Sequence, residues 1–172
     1  MKKIYCSIIA GVTMLTGCVS KPDNIIPVNN FQADKYLGKW YEIARSDNSF
    51  EKGLTDVYAE YALNKDSTIK VTNSGIDPIK KKRVYANGVA KFVENSSLGY
   101  LKVSFFRPFY ASYVIFYLDD YKYAYVAGPN TNYVWLLART PSVSDTIKND
   151  FIAKIKSLGF DTDSLVWVKH DR

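Results

Sequence analysis

The chain has 172 residues, of which 47% are apolar, 23% charged and 15% aromatic, and its formal net charge at pH 7 is +6. This composition is typical of a globular protein and excludes a disordered or collagen-like chain. Two cysteines and one histidine, His170, exclude a zinc site built from Cys and His. They also exclude a Ser-His or Cys-His nucleophile pair, unless the tail histidine folds back into a site.

Residues 1–17 are predicted to be a secretory signal. Two lysines near the start precede a short apolar run that ends in Leu15-Thr16-Gly17-Cys18. The run of about thirteen residues rises only about 20 Å as a helix, which is too short to span a bilayer core of about 30 Å. The four residues at the end of this run resemble the bacterial lipobox. The resemblance implies cleavage before Cys18, diacylation through its sulfur and acylation of the new amine.

The alternative is an ordinary signal cut nearby, which would leave Cys18 as a free thiol. Either cleavage removes Cys6, so the mature chain can form no internal disulfide. Residues 18–30 contain Pro22 and Pro27 and little periodicity, and they predict a lipidated N-terminus and a tether that lets a folded domain stand off a bilayer. No Asp follows Cys18, which by analogy with enteric bacteria points to a lipid anchor in the outer membrane.

The domain predicted over residues 31–172 consists mainly of short strands. Runs rich in Val, Tyr, Phe, Ile and Thr alternate with turn residues. The predicted strands are 39–46, 55–63, 68–74, 83–94, 99–106, 112–119, 122–128, 132–140 and a short final strand at 165–168. Eight consecutive strands with tight turns favour an antiparallel up-and-down meander that closes into a barrel, because closure removes the exposed edges.

One helix is predicted near the C-terminus. Apolar residues recur at helical spacing from Ile147 to Leu158. Ser142 or Ser144 can cap its start and Gly159 can end it. The expected fold is therefore an all-β, eight-stranded antiparallel barrel with one C-terminal helix packed outside it.

Two segments resemble lipocalin motifs. Residues 38–45 (Gly-Lys-Trp-Tyr-Glu-Ile-Ala-Arg) resemble the first motif, with Gly38 and Trp40 in place, and residues 132–140 resemble the last, where Arg139 ends the eighth strand. The middle motif departs from the family pattern, because its usual Thr-Asp-Tyr string lacks the Asp here. Together with the lipobox, the likeness is to the bacterial outer-membrane lipocalins.

The topology predicts one closed end of the barrel. Successive turns alternate between the two ends, so the start of strand one and the end of strand eight meet at the same end. Trp40 and Arg139 then lie on neighbouring strands, and the guanidinium can lie across the indole in a cation–π contact. Gly38, Trp40 and Arg139 are accordingly interpreted as structural residues that close the barrel.

The other end is predicted to be the mouth. Its connections are residues 47–54, 75–82, 107–111 and 129–131. They carry the basic run 80–83 and an aromatic run around Arg107. An apolar tube with a basic rim suits a fatty acid or a lysophospholipid. Alternatively, the lysines form an ordinary solvated turn, and the aromatic run forms a dimer surface or a membrane contact.

The family resemblance implies that Tyr110 and Trp135 line the cavity, with the Tyr110 hydroxyl donating to a carboxylate or phosphate. Phe105 and Arg107 complete the predicted ligand-binding residues. Glu42 shares the face of the barrel-closing tryptophan, and an inward carboxyl there needs a partner or a raised pKa.

The function predicted from these features is binding, transport or storage of a single-chain lipid at the outer membrane, without catalysis. No cofactor, metal or nucleic-acid partner is expected, membrane attachment is through acylated Cys18, and a homodimer remains an alternative. A structural envelope lipoprotein with a filled barrel is the second interpretation. An enzyme with a pocket thiol is disfavoured because the predicted barrel contains no cysteine or histidine, and the lack of an axial histidine disfavours haem carriage.

Overall fold

The computed structural model describes residues 19–170. The predicted signal, Cys18 and its lipidation therefore lie outside the described residues. In chain order the elements are α1 (Ala33–Tyr36), β1 (Gly38–Ser46), β2 (Thr55–Leu63), β3 (Ile69–Asp77), β4 (Lys82–Phe92), β5 (Tyr100–Phe106), β6 (Phe109–Asp119), β7 (Tyr123–Ala127), β8 (Val134–Ala138), α2 (Asp145–Ser157) and β9 (Leu165–Trp167). Within this range no helix is long and apolar enough to cross a membrane.

The first eight strands form a closed antiparallel barrel. Each strand pairs with the next, and β1 closes the ring by pairing with both β2 and β8. The short β9 pairs with the end of β1 outside the ring. The predicted barrel, the single long helix and the final strand are thus confirmed. The four connections β1–β2, β3–β4, β5–β6 and β7–β8 meet at one end, which is the mouth.

The strand ends differ from the prediction at the mouth. β3 and β4 extend as a hairpin beyond the predicted bounds, with Ile76 opposite Arg83 and Asp77 opposite Lys82. Likewise, β6 already begins at Phe109. Backbone pairing continues through polar and exposed residues there, where hydrophobic alternation gives no signal. The four-residue α1 was not predicted, because so short a helix shows no periodicity.

The side chains of the barrel wall separate into two cores. Residues such as Trp40, Val71 and Ile115 fill the closed half of the barrel. Residues on the outer face, among them Val114, pack against α2 through Phe151, which has no exposed surface. Burying each large apolar side chain contributes about 1.5–3 kcal/mol relative to exposure. The alternating faces of the strands therefore stabilise both the ring and the attachment of the helix.

The helix α2 is capped at both ends. Of the two serines predicted as caps, Ser144 serves as the N-cap, and its Oγ accepts a hydrogen bond from the Ile147 amide at 3.4 Å. Gly159 follows the helix with a φ of +85°, the left-handed conformation that favours glycine at this position.

Residues 19–30 pack on the barrel, in contrast to the predicted tether. Ile25 is fully buried in the core beneath α2. The Val28 amide donates to the Ile115 carbonyl at 2.9 Å, and the Gly99 amide donates to the Val28 carbonyl at 2.9 Å. A Cβ at Gly99 would lie 2.7 Å from a Val28 methyl, so only glycine permits this close approach. Isolated apolar side chains hold the segment, and these produce no periodic pattern in the sequence.

Candidate functional site

Arg139 and Trp40 close one end of the barrel. The Arg139 guanidinium carbon lies 4.0 Å from the centre of the Trp40 ring. Its Nη1 donates to the Lys39 carbonyl at 2.8 Å, and its Nη2 donates to the Lys35 carbonyl at 2.7 Å. Its Nε donates to the Tyr121 carbonyl at 3.2 Å. One side chain thereby ties together α1, the start of β1 and the turn before β7, so this end offers no entrance.

Gly38 and Tyr36 complete the closed end. Gly38 has a φ of +89°, a conformation that other residues rarely adopt, and it directs the chain from α1 into β1. The Trp40 indole stacks on Tyr36 with ring centres 4.5 Å apart, and its Nε1 donates to the Tyr36 carbonyl at 2.8 Å.

Three tyrosines, Tyr36 and Tyr61, which are buried, and Tyr113, which is half-buried, form a layer above this plug that we call the tyrosine floor. The Tyr113 hydroxyl lies 2.8 Å from the hydroxyls of both Tyr36 and Tyr61. Burial is the main cause that raises the pKa of all three hydroxyls above the ordinary value of tyrosine. The floor is therefore neutral, and its hydroxyls are already engaged with one another. No sequence pattern indicated this cluster, because its members come from α1, β2 and β6.

A cavity of about 580 Å³ occupies the mouth half of the barrel above the tyrosine floor. This volume lies within the range of about 300–1,000 Å³ that is usual for small-molecule sites. Its wall is mainly apolar and includes Val57, Val71, Val103, Leu137, Phe105 and Trp135. The barrel is thus solid below and hollow above.

Two buried carboxyls stand on the cavity wall beside one arginine. The Glu42 Oε1 accepts a hydrogen bond from Arg45 Nη1 at 2.7 Å, and the two side chains are 5% and 1% exposed. Arg45 Nη2 donates to the Glu51 carbonyl at 2.7 Å. Burial, followed by the neighbouring Glu51 carboxylate, raises the pKa of Glu42 well above its usual range, although Arg45 opposes the shift. The inward Glu42 has both the partner and the raised pKa that its position requires.

A bulge in β1 turns Arg45 toward this cluster. The pairing with β8 slips between Glu42 and Ala44, and Ile43 and Ala44 both join the outer core. After the slip, Arg45 takes the inward position that strict alternation would assign to Ala44. The sequence carries no signal for this bulge, so the participation of Arg45 was missed.

Glu51 belongs to the β1–β2 connection and folds back into the mouth. Its Oε2 accepts hydrogen bonds from Asn48 Nδ2 at 2.7 Å and from Trp135 Nε1 at 3.2 Å. The Glu51 amide donates to Asn48 Oδ1 at 2.9 Å. These bonds hold residues 47–54 against the cavity wall. Because Glu51 lies in a predicted loop, the sequence gave no reason to expect that its carboxylate is buried at the site.

Of the four predicted ligand-binding residues, two line the cavity and two do not. Phe105 and Trp135 belong to the wall. Arg107 is exposed in the turn after β5. Tyr110 faces outward, and the Lys102 amine lies 5.5 Å from the centre of its ring.

Successive side chains of β6 point alternately into and out of the barrel, which explains why Tyr110 faces outward. Ala111 and Tyr113 occupy the cavity face. Ser112 also borders the cavity, but its Oγ donates outward to the Ser20 carbonyl of the N-terminal segment, and Val114 belongs to the outer core. Tyr110 shares the parity of this second pair, so its assignment to the cavity was wrong by one residue.

The basic run lies at the edge of the mouth. Lys80, Lys81 and Lys82 are exposed, and the Lys80 amine is 3.4 Å from the Asp77 carboxylate. Arg83 of β4 instead forms an ion pair with Asp56 of β2, across the intervening β3.

His170 folds back onto the outside of the barrel. Its Nε2 lies 2.8 Å from the Glu42 carbonyl, and its Nδ1 lies 3.3 Å from the Asp56 carboxylate. The ring meets Tyr41 edge-on, with centres 5.5 Å apart. Both nitrogens face groups of the barrel wall, so the histidine fastens the C-terminal segment.

A closed barrel with one plugged end and one open apolar cavity defines a class of proteins that hold small hydrophobic molecules. The family model described as a lipocalin-like domain matches residues 31–170. The chain therefore belongs to the lipocalin family.

Similar proteins include two bacterial relatives and an insect protein of known structure. The chain is 50% identical to the outer membrane lipoprotein Blc of Vibrio cholerae over 168 residues, which cover 96% of this chain and 95% of the relative. It is 43% identical to the protein of that name from Escherichia coli K12, covering 86% and 84% of the two chains. Insecticyanin from the tobacco hornworm Manduca sexta shares the fold with a TM-score of 0.70 at 17% identity, covering 89% of this chain and 88% of that one.

Proposed function

We propose that this protein is a lipid-anchored lipocalin of the bacterial outer membrane that binds a single-chain lipid, either a fatty acid or a lysophospholipid. The observation that carries the proposal is the apolar cavity of about 580 Å³, which opens at one end only. The similarity to proteins named outer membrane lipoprotein Blc supports the location. The lipobox-like sequence at the end of the signal, Leu15-Thr16-Gly17-Cys18, supports a lipid anchor on Cys18.

The cavity favours one acyl chain over two. An eight-stranded barrel encloses room for one small ligand, and here the closed half is filled by aromatic side chains. Burial of a chain against the valines and aromatic rings of the wall contributes about 0.8 kcal/mol per CH₂ group. The same cavity argues against the alternative of a structural lipoprotein with a filled barrel.

The polar groups of the cavity favour a ligand whose headgroup stays at the mouth. At the bottom, the hydroxyls of the tyrosine floor bond to one another, so the rings of Tyr61 and Tyr113 receive the end of the chain. On the wall, the Arg45 guanidinium already donates to the Glu42 carboxylate and to the Glu51 backbone carbonyl, and two carboxyls stand beside it, so this cluster offers no place for a further anion. We therefore expect an anionic headgroup above them, near the basic residues of the mouth.

A binding role fits the chemistry of the site better than a catalytic one. Glu42 is engaged by Arg45, and Glu51 is engaged by Asn48 and Trp135. The two nitrogens of His170 face the outside of the wall. These groups therefore position parts of the protein, and the cavity is left to hold a ligand for storage or transport.

The experiment is a titration with a fluorescent fatty acid, accompanied by native mass spectrometry of the protein extracted from membranes. We expect a co-purified single-chain lipid. Val103→Trp, which fills the cavity, should weaken binding tenfold or more. Lys102→Trp places the same ring one residue away, on the side of β5 where the Lys102 amine approaches Tyr110, and should bind normally. Equal affinities in both variants, or protein that never carries lipid, would contradict the proposal.

A further inference from the structure

Two hairpins at the mouth expose large apolar side chains that do not line the cavity. Ile79 of the β3–β4 turn is 90% exposed, and Phe106 and Phe109 of the β5–β6 hairpin are 76% and 70% exposed. The two phenylalanine rings stack nearly parallel, with centres 6.4 Å apart. Their interaction leaves an apolar surface facing outward from the rim.

The same hairpins carry cations. Lys80, Lys81 and Lys82 lie in or beside the β3–β4 turn, and Arg107 lies between the two phenylalanines. We call Ile79, Phe106 and Phe109 together with these four cations the rim patch.

Acidic residues mark the opposite edge of the mouth. A polar groove there brings Asp47 of the β1–β2 connection together with Asp161 near β9. Both aspartates are exposed. The edge with the two aspartates also carries Lys52 and the 61% exposed Phe50, whereas the rim patch combines four cations, one of them paired with Asp77, and three exposed apolar side chains. The rim patch is thus the more positive side of the mouth.

The N-terminal segment leads toward the rim patch. It leaves the closed end, where the Phe31 amide donates to the Ser97 carbonyl at 2.9 Å, and it then follows the outer face of β6 past Ile115. At its start, Ser112 Oγ donates to the Ser20 carbonyl, and the Tyr100 hydroxyl donates to the Val19 carbonyl at 2.9 Å.

The position of Ser112 fixes how near the described chain comes to the patch. Ser112 follows Phe109, the residue at the mouth end of β6, by three residues, which correspond to about 10 Å along a strand. One further peptide unit moves a chain about 3.8 Å. Cys18 directly precedes Val19 in the sequence, and the described chain begins on the β5–β6 side of the barrel, so the proposed anchor joins the domain on this side.

We propose that the rim patch docks on a bilayer surface carrying anionic headgroups, so that the anchor and the docked patch turn the mouth of the barrel toward the membrane. The inference rests on the anchor in the proposed function. Exposed aromatic rings favour the interface between headgroups and acyl chains, and lysines beside them are attracted to anionic lipids. A single-chain lipid would then pass between bilayer and cavity with little exposure to water.

The first experiment measures depth in the bilayer. The acylated protein is reconstituted in vesicles of phosphatidylethanolamine and phosphatidylglycerol at three to one. It carries an environment-sensitive dye on Phe106→Cys or, as the matched control, on Leu63→Cys. Leu63 is 61% exposed and ends β2 at the closed end. We expect a blue-shifted emission and quenching by brominated lipid only for the dye at position 106. The proposal would be overturned if emission and quenching placed both dyes in water, or placed only the dye at position 63 in lipid.

The second experiment separates the patch from the anchor and from ligand binding. The Cys18→Ala protein should sediment with the same vesicles and at least fivefold less with pure phosphatidylcholine. Replacing Phe106 and Phe109 by serine should reduce this binding at least fivefold and leave fatty-acid affinity unchanged, whereas Leu63→Ser should change neither. Vesicle binding that does not change when Phe106 and Phe109 are replaced would overturn the docking proposal but not the proposed lipid-binding function. A doubled mass in light scattering that the serine variant abolishes would assign the patch to a second copy and would also overturn it.

Discussion

Trp135 and Glu51 join the wall of the cavity to the loop at its mouth. The indole Nε1 of Trp135 on β8 donates to the Glu51 Oε2 at 3.2 Å, and the ring also stacks on Tyr133 with centres 6.3 Å apart. One residue therefore contributes apolar surface to the ligand site and a hydrogen bond to the β1–β2 connection. Changes at Trp135 are expected to affect ligand binding and the position of this loop together.

Trp135→Arg is expected to weaken fatty-acid binding tenfold or more while the fold survives. The substitution replaces an apolar wall by a charge that resists the burial a ligand requires. Trp135→Phe is the matched control. It keeps an aromatic wall, loses only the bond to Glu51, and should retain affinity within about threefold. A fluorescent fatty-acid titration measures both, and circular dichroism checks the fold. Unchanged binding by Trp135→Arg would show that this position does not line the ligand site.

The raised pKa of Glu42 predicts a pH dependence of stability. The folded protein holds this proton more tightly than the unfolded chain, whose glutamate titrates near pH 4.3. The free energy of unfolding contributed by this group is therefore highest at low pH. It falls as the pH rises from about 4.3 through the raised pKa of the folded state. Glu42→Gln should remove this fall, because glutamine does not titrate.

Urea unfolding between pH 4.5 and 8 measures the effect of Glu42→Gln against the unmodified protein. Glu60→Gln is the control, since the Glu60 side chain is 50% exposed on β2. We expect the difference between the stability curves of the variant and the unmodified protein to change more steeply with pH for Glu42→Gln than for the exposed control Glu60→Gln. Parallel curves for both variants would mean that Glu42 does not bind its proton more tightly in the folded state.

Arg139→Ala is expected to lower the free energy of unfolding by about 2–4 kcal/mol. The variant loses a cation–π contact and leaves three backbone carbonyls without their charged donor. Ligand affinity should stay the same, because Arg139 lies at the end of the barrel opposite the mouth. Chemical unfolding measures the loss. Lys122→Ala, which removes only an exposed ion pair with Asp120, should cost less than about 1 kcal/mol. Equal losses in the two variants would disprove the barrel-closing role of Arg139.

Cys18→Ala is expected to release the protein from membranes that are washed at high salt, because salt also screens the attraction of the rim patch to anionic lipids. Several acyl chains hold a protein to a bilayer stably, and the substitution removes the only sulfur in the lipobox to which they can be attached. Cell fractionation followed by washing at high salt measures the change, with Ser20→Ala as a control that keeps the cysteine. Retention of Cys18→Ala in the washed membrane fraction would contradict the anchor.

The main elements of the fold follow from local patterns in the sequence. Eight runs of β-forming residues between turns predicted the barrel, and helical spacing predicted α2. The contact between Trp40 and Arg139 also follows, because the order of strands in a closed meander brings their two ends together. Phe105 and Trp135 also lie on the cavity wall, a position that the family resemblance implied for Trp135 and the aromatic run at the predicted mouth suggested for Phe105.

Only the tertiary structure decided which side chains meet in the cavity. Strand alternation has a period of two, so a shift of one residue exchanges the two faces of a strand. Tyr110 consequently faces outward, whereas the bulge in β1 turns Arg45 inward to Glu42.

The remaining features depend on partners that are distant in the chain. Glu51 is held by Trp135 of the last barrel strand, and Val28 of the expected tether is held by Ile115 of β6. The sequence by itself determined the strands, their order and the closed end, since these depend on neighbouring residues and on topology. The contents of the cavity and the path of the N-terminal segment depend on register and on long-range packing, which no local pattern encodes.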